Sequence, residues 1–189
     1  MATDRLDEVL DAAYECLTRY GVRRTTMDDI ASAMGVSRSA VYQYVRSKDD
    51  AFRRLAGRLH EQALGRARRA AAEEAPPATR VRGVLAAKLD LVSRLAGDSP
   101  HTAELLDEKA RLFGDICHTF TADLRRLLIA LFAEAESPAG VEPAEAADIC
   151  LALVTGLESA PDGRQLLAPA TEALLTGLLG ASAGAGGRN

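Results

Sequence analysis

The residues best suited to chemistry lie between positions 37 and 48, where polar side chains that can contact nucleic acid follow one another closely. Arg38 can pair with guanine and Gln43 with adenine, and these are pairings that base geometry favours in the major groove. Tyr42 can donate to a phosphate or contact a thymine methyl group, and Lys48 suits a backbone phosphate. These residue types at this spacing indicate recognition of double-stranded DNA.

Two short predicted helices that meet at Gly35 can position these side chains. A helix-turn-helix needs a small residue where its helices cross, which Ala31 supplies, and a residue that tolerates positive φ at the turn, which Gly35 supplies. It also needs buried apolar positions on both helices, here Ile30, Val36, Val41 and Val45. The second helix then presents its outward residues near the end that enters the major groove.

Nine residues are predicted to contact DNA: Thr25, Thr26, Ser37, Arg38, Ser39, Tyr42, Gln43, Tyr44 and Lys48. Thr25 and Thr26 are included for the amide groups at a helix start, and Ser37 is first a helix cap. For Arg38 and Lys48 the alternative is solvated surface charge. Tyr44 could instead belong to the core of the small domain.

The composition favours an all-α fold, because Ala and Leu dominate the chain and both are strong helix formers. A first helix is predicted at about 4–20, ended by Gly21, and a fourth from about 47 to 75. Breaks at 76–77, 97–100 and 137–140 separate further helices. These are predicted at about 78–96, 101–136, 143–160 and 164–180, followed by a disordered tail at 181–189. The stretch 101–136 is predicted to form one helix, or a short one and then a long one, and Pro169 lies in the first turn of the last helix or kinks it.

The net charge of -4 argues against a nucleic-acid-binding protein when it is taken alone. The acidic excess lies in residues 61–189, whereas the first 60 residues are close to neutral. No apolar run is long enough to span a membrane. The three cysteines lack the number and spacing of a disulfide framework, so a reducing cytoplasm is the expected location.

The segment from about Arg5 to Leu59 resembles the N-terminal domain of tetracycline-repressor-type (TetR-like) transcriptional regulators. The resemblance is carried by LDEVLDAAYECLTRYGVRRTTMDDIASAMGVS and SRSAVYQYVRSKDDAF. Tyr42, Tyr44 and Ser47-Lys48 fit the family pattern, whereas Val45 stands where Phe is usual. The resemblance implies a ligand-responsive repressor that binds a palindromic operator as a homodimer and is released by a small-molecule effector. On this basis 1–48 is the DNA-binding domain and 49–180 the effector-binding and dimerisation domain.

The resemblance places the dimer interface on the last two long helices. A dimer also suits the DNA, because one recognition helix contacts only a few base pairs and two half-sites are needed. The alternative is that these helices only complete the core of the monomer. The predicted interface residues are Ile149, Leu153, Gly156, Leu157, Leu174 and Leu178.

The same resemblance places the effector pocket among helices spanning about 50–135. Phe113, Cys117, Phe120 and Leu124 recur near helical spacing, which is also typical of core residues, and His101 could orient a polar ligand. Effector binding is expected to shift the fourth helix and so change the separation of the recognition helices. No cofactor is expected, and neighbouring Cys117 and His118 diverge too far on a helix to grip one metal ion.

The sequence disfavours two other classes of function. An enzyme is disfavoured, because the chain lacks a phosphate loop, and its Gly-x-Ser-x-Gly string at 180–184 follows a predicted helix rather than a strand. A helical protein-interaction module without DNA binding would not need the outward Arg38, Tyr42, Gln43 and Lys48.

Overall fold

The computed structural model describes residues 2–96, 101–135, 140–160 and 162–179. Throughout these ranges the chain is helical and has no strand, which confirms the all-α prediction. The helices are α1 (Ala2–Arg24), α2 (Met27–Met34), α3 (Arg38–Val41), α4 (Lys48–Ala71), α5 (Pro77–Ala96), α6 (Thr102–Glu134), α7 (Pro143–Glu158) and α8 (Gly163–Leu179). The predicted tail and the Gly-x-Ser-x-Gly string lie outside the described residues.

The chain divides into two compact units, neither of which is one continuous segment. The first unit is Met1–Glu61 with Arg94–His118, and the second is Gln62–Ser93 with Thr119–Asn189. Helices α4 and α6 each contribute residues to both units. The functional boundary predicted between residues 48 and 49 is a different division, and it stays a prediction.

The first unit is organised around a cluster of buried apolar side chains. On α1 the buried Val9, Ala13 and Leu17 recur every four residues, so one face of the helix turns inward. Helix α1 packs against α2, and α2 packs against α3. Ile30 and Phe52 complete the cluster from α2 and α4. Burial of these faces holds the short helices in place, since helices this short are marginal on their own.

The predicted helix ends are partly right. Gly21 was expected to stop the first helix, and its non-helical backbone (φ 79°, ψ 169°) does interrupt α1 there, with a short helical stretch following as far as Arg24. The stretch at 101–136 forms α6, which the non-helical Phe113 (φ -150°, ψ 26°) divides into a shorter helical segment and then a longer one, as the second of the two expectations had it. Pro169 lies inside α8, as one of the two expected placements had it.

The second unit contains a mostly buried ion pair between α5 and α7. Lys88 donates to Glu158, and the two side chains are only 10% and 12% exposed. The other ion pairs described in this unit lie closer to solvent, including Arg164 with Asp90 at 3.2 Å. Helix α5 also approaches the end of α4 closely, because a Cβ at Gly83 would lie 2.6 Å from the Cβ of Ala70.

An exposed ion pair links α4 and α6 within the first unit. Arg53 donates to both carboxylate oxygens of Asp115 and also to the carbonyl oxygen of Leu112 at 2.8 Å. Hydrogen bonding to this guanidinium lowers the pKa of Asp115 to about 2, from an ordinary value of 3.8. The native state therefore favours the ionised carboxylate.

The Asp115→Asn variant is expected to be less stable than the wild type at neutral pH, with a deficit that shrinks in acid. Because the native pKa is depressed, the carboxylate stabilises the fold above the unfolded pKa of 3.8 and loses this effect as the pH falls through about 2. Urea midpoints of both proteins, measured from neutral pH down into this window, test the expectation. A deficit that stayed constant down to the lowest pH would contradict it.

Candidate nucleic-acid interface

Helix α2 begins with a reciprocal cap. The amide of Asp29 donates to the Thr26 hydroxyl at 3.2 Å, and the amide of Thr26 donates to the Asp29 carboxylate at 2.8 Å. This capping box satisfies backbone donors that the first turn of a helix leaves without partners. The cap explains why the short α2 starts at Met27.

The turn between α2 and α3 depends on Gly35. Its backbone is left-handed (φ 66°, ψ 30°), and its amide donates to the carbonyl oxygens of Ala31 and Ser32. Ser37 then caps α3, since its hydroxyl accepts from the amide of Ala40 at 3.3 Å. Helical hydrogen bonding continues past α3 as far as Val45, whose amide donates to Val41. The helix-turn-helix predicted from the spacing is therefore present.

The surface of this second helix carries the polar residues that the sequence singled out. Ser37, Arg38, Ser39, Tyr42 and Gln43 are all exposed, and Tyr42 keeps 43% of its surface. The valines of the same segment, Val41 and Val45, are buried. The helix thus separates a core face from a polar face, and this polar face is called the recognition face below.

Arg38 is held in place by two neighbours. It donates to the Tyr42 hydroxyl at 3.2 Å and to the Asp28 carboxylate at 3.0 Å, and its guanidinium lies 5.6 Å from the centre of the Tyr42 ring. The hydrogen bond to Tyr42 and the charge of Asp28 raise the pKa of Arg38 above its ordinary value. Since guanidinium has five N–H donors, others remain for a nucleic acid. Sequence reasoning missed Asp28 as a partner, because the two residues approach only when the turn is formed.

Lys48 has a structural role that the sequence did not predict. Its ammonium group donates to the carbonyl oxygens of Val22 and Arg23 at 3.0 and 2.9 Å, at the end of α1. Cations favour such helix ends, because the last carbonyls lack partners in the helix. An ammonium group has three donors, so a phosphate contact by Lys48 stays a prediction.

The amide contacts predicted for two threonines are corrected by the structure. Thr25 is fully buried, and its amide and hydroxyl both donate to the carbonyl oxygen of Gly21, at 3.2 and 2.7 Å. The amide of Thr26 is used in the cap with Asp29. Neither amide is available to a phosphate, because each already has a partner within the chain. Tyr44 is half-buried against the apolar cluster, so packing accounts for its ring, and DNA contact by it stays a prediction.

Substituting Gly35 by alanine is expected to destabilise the first unit by about 1–2 kcal/mol, since a left-handed backbone costs that much for a residue with a Cβ. The space around Gly35 is open, so the penalty is conformational and not steric. Gly57→Ala is the matched control, because Gly57 lies in α4, also has open space, and should gain from the better helix former. Urea unfolding of the two variants measures both effects. Equal stability of the two would contradict the role assigned to the turn.

Comparison with known proteins identifies this segment. Residues 9–55 match the sequence model of the bacterial regulatory proteins of the tetR family. Residues 9–55 are a tetR-family domain. The HTH-type transcriptional regulator TtgR of Pseudomonas putida is 31% identical over 113 residues, which cover 58% of this chain and 52% of the relative. The chain thus spans about half the length of the curated relatives it matches.

Solved structures extend the likeness in fold beyond the tetR-family domain. SmeT, the repressor of a multidrug efflux pump of Stenotrophomonas maltophilia, superposes with a TM-score of 0.70 at 20% identity and covers 97% of this chain and 94% of its own. The regulator FadR of Bacillus subtilis, in complex with stearoyl-CoA, gives a TM-score of 0.67 at 20% identity, with 90% and 98% covered. At this identity the likeness concerns the fold alone.

The matched family consists of bacterial regulatory proteins, and two of the curated relatives are a transcriptional regulator and a probable one. These relatives agree with the expectation that the protein is not an enzyme. Among the described residues, no group of three or more His, Cys, Asp or Glu side chains is placed to hold a metal ion. None of the described helices is long and apolar enough to cross a membrane.

Outside the tetR-family domain, helices α7 and α8 pack against each other. Some of the predicted interface residues lie on the buried faces of these helices and others on the exposed faces. Ile149 and Gly156 are exposed and Leu153 and Leu174 are half-buried. Leu157 and Leu178 are buried within the single chain, so packing inside the chain accounts for both, and their place in an interface stays a prediction. Leu157 shares its inward face with Cys150 and Val154, and Leu178 shares its own with Thr171 and Leu175.

The predicted effector residues are distributed over both units. His101, Phe113 and Cys117 belong to the first unit, and Phe120 and Leu124 belong to the second. Phe113, Phe120 and Leu124 are buried, and Phe113 is part of the apolar cluster of the first unit. A cleft of about 200 Å³ beside α1 and α2 is lined by none of the five. Their role in a pocket stays a prediction.

Proposed function

We propose that this protein is a ligand-responsive, DNA-binding transcriptional regulator that acts as a homodimeric repressor on a palindromic operator. The recognition face carries this proposal. Arg38, Tyr42 and Gln43 are exposed together on a helix whose other side is buried, and the turn before it has helix-turn-helix geometry. Arginine and glutamine in this arrangement suit guanine and adenine edges in the major groove.

The charge distribution supports contact through this face. Arg38, Arg46 and Lys48 lie within or just after the helix-turn-helix, whereas the net charge of the whole chain is -4. Neutralisation of phosphates supplies the part of the affinity that does not depend on sequence. An acidic remainder repels DNA elsewhere on the surface, so binding is confined to the recognition face.

A dimer is supported by the outward faces of α7 and α8. Ile149 is 42% exposed and Leu166 is 45% exposed, so both helices offer apolar surface to a second copy. Gly156 and Gly177 have open space around them, so another helix can approach their backbones closely. Two copies joined through these faces would present two recognition faces to two half-sites.

Release by a small molecule is supported by proteins with the same fold. The comparison structures include SmeT in complex with triclosan and FadR of Bacillus subtilis in complex with stearoyl-CoA. Helix α4 begins directly after the tetR-type helix-turn-helix and runs to Ala71, so a shift of α4 would move the recognition face. A 100-fold loss of DNA affinity requires a differential binding free energy of only about 2.7 kcal/mol.

Selection of duplexes from a random pool, followed by a salt titration, tests this function. We expect one palindromic consensus and an affinity that falls steeply as salt rises, because phosphate contacts release counterions. Binding of a consensus without internal symmetry would contradict the homodimer. Absence of binding to any duplex at low salt would contradict the whole proposal.

A further inference from the structure

A thiol and an imidazole meet where α4 and α6 pack within the first unit. Cys117 Sγ lies 3.4 Å from Nε2 of His60, although 57 residues separate the two in the chain. His60 is only 7% exposed, whereas Cys117 is half-buried. Neither residue belongs to the recognition face, so DNA binding does not account for the pair.

A second hydrogen bond determines which nitrogen of the His60 ring carries the proton. Nδ1 lies 2.7 Å from the carbonyl oxygen of Ala56, one turn earlier on α4. Because a carbonyl oxygen only accepts, Nδ1 carries a proton, and in the neutral ring Nε2 is the acceptor that faces the Cys117 thiol. A nucleophile, a base and a group that orients the base form the arrangement that activates thiols in proteins.

Charged groups on both helices lie near the pair along the chain and form ion pairs of their own. Two ion pairs join α4 to the part of α6 that precedes Cys117 in the sequence. Arg53 pairs with Asp115, and Arg111 donates to Asp49 at 3.1 Å. His118 is exposed and its Nδ1 donates to the carbonyl oxygen of Gly114 at 3.0 Å. His60 is thus the imidazole that faces the Cys117 sulfur.

We propose that Cys117 and His60 form a reactive site that takes up α,β-unsaturated carbonyl compounds by conjugate addition. The thiol proton passes to Nε2, sulfur forms a bond to the β-carbon, and the π electrons of the C=C bond move to give an enolate. The α-carbon then takes the proton from Nε2, which restores the neutral imidazole. The net change is addition of S–H across C=C, so no oxidant or reductant is needed.

The ligand class follows from the surroundings of the sulfur. A thiolate is a soft nucleophile, and conjugated carbonyls offer it a soft carbon centre. Cys117 packs against the apolar cluster of the first unit, so a reagent that reaches it must shed water, which favours a small, flat, apolar molecule. The reactivity does not depend on the proposed function in DNA binding.

The other two cysteines provide internal controls. Cys16 is 2% exposed and Cys150 is fully buried. Burial raises the pKa of the Cys16 thiol to about 11 and that of Cys150 to about 12. Thiolate is the reactive form, so both should stay inert in the folded protein.

N-ethylmaleimide, an α,β-unsaturated imide, is the probe for the full-length chain. Intact-mass measurements and peptide mapping should show one adduct, at Cys117, formed at least about tenfold faster than at Cys16 or Cys150. His60→Gln should slow the reaction at Cys117 about tenfold, because the base is lost. Cys117→Ser is the matched control, which should remove the adduct and keep the fold. None of these readouts requires DNA.

The pH dependence separates a base from a merely structural His60. In the wild type the rate at Cys117 should level off with rising pH where imidazole titrates, whereas in His60→Gln it should keep rising as for an ordinary thiol. Equal rates and equal pH profiles in the two proteins would overturn the proposal, as would first reaction at Cys16 or Cys150. If circular dichroism shows that His60→Gln is unfolded, the pH profile of the reaction rate at wild-type Cys117 is compared with that of glutathione, an ordinary thiol. Parallel pH profiles would also overturn the proposal.

Discussion

Replacing Arg38 by alanine is expected to weaken specific DNA binding by about 2–6 kcal/mol in the dimer, since each bidentate arginine–guanine pair contributes about 1–3 kcal/mol and two copies are lost. The structure supports a specific role, because Asp28 and Tyr42 hold the guanidinium on the recognition face before DNA arrives. The affinity for the selected palindrome, measured at fixed salt in a gel-shift or anisotropy titration, gives the effect directly.

The matched control for this prediction is Arg126→Ala. Arg126 is also exposed and also pairs with a nearby carboxylate, that of Asp123, but it lies on α6. Arg126→Ala removes the same charge from the second unit instead of from the recognition face, so the affinity should change by less than about threefold, as expected for one screened surface charge. If Arg38→Ala and Arg126→Ala weakened binding equally, Arg38 would be acting only through net charge, and its assignment to a base would be wrong.

The largest effect on stability is expected from breaking the buried pair in the second unit. Lys88→Met should lower the free energy of unfolding by about 3–5 kcal/mol, because it leaves the Glu158 carboxylate buried without its cation. Lys88 and Glu158 are 10% and 12% exposed, so water can do little to replace the lost partner. Urea unfolding followed by circular dichroism measures the loss.

A double-mutant cycle separates the cost of leaving a buried charge unpaired from the net contribution of the ion pair to the free energy of unfolding. Lys88→Met combined with Glu158→Leu should recover most of the stability, because two apolar side chains of similar length carry no unpaired charge. Arg164→Ala is the control for an exposed pair in the same unit, and its cost should be at most about 1 kcal/mol. A cost for Lys88→Met no greater than that of Arg164→Ala would show that the buried charge is not the determining factor.

Short-range signals explain why much of the tetR-family domain was predictable. The caps at Thr26 and Ser37 and the left-handed Gly35 act on backbone groups within four residues, and all three occur where their residue types indicated. Alternation of apolar and polar positions likewise predicted which side of α3 is buried. Each of these effects depends on neighbours along the chain, so the linear sequence contains the information.

Prediction was weaker where two faces of a helix are both apolar. On α7 and α8 apolar residues occur on more than one face, so hydrophobicity alone did not show that Leu157 and Leu178 point inward while Ile149 points outward. The amides of Thr25 and Thr26 have partners only four and three residues away, in Gly21 and Asp29, so local capping competes with a phosphate for them.

The sequence by itself determined the helical class, the helix-turn-helix and the residues of its recognition face, because these depend on local propensity, capping and periodicity. Only the tertiary structure showed that Asp28 holds Arg38, that Lys48 caps the end of α1, and that His60 faces Cys117. These pairs are separated by 10, 26 and 57 residues. Contacts at such separations depend on how helices pack, and no periodicity along the chain specifies them.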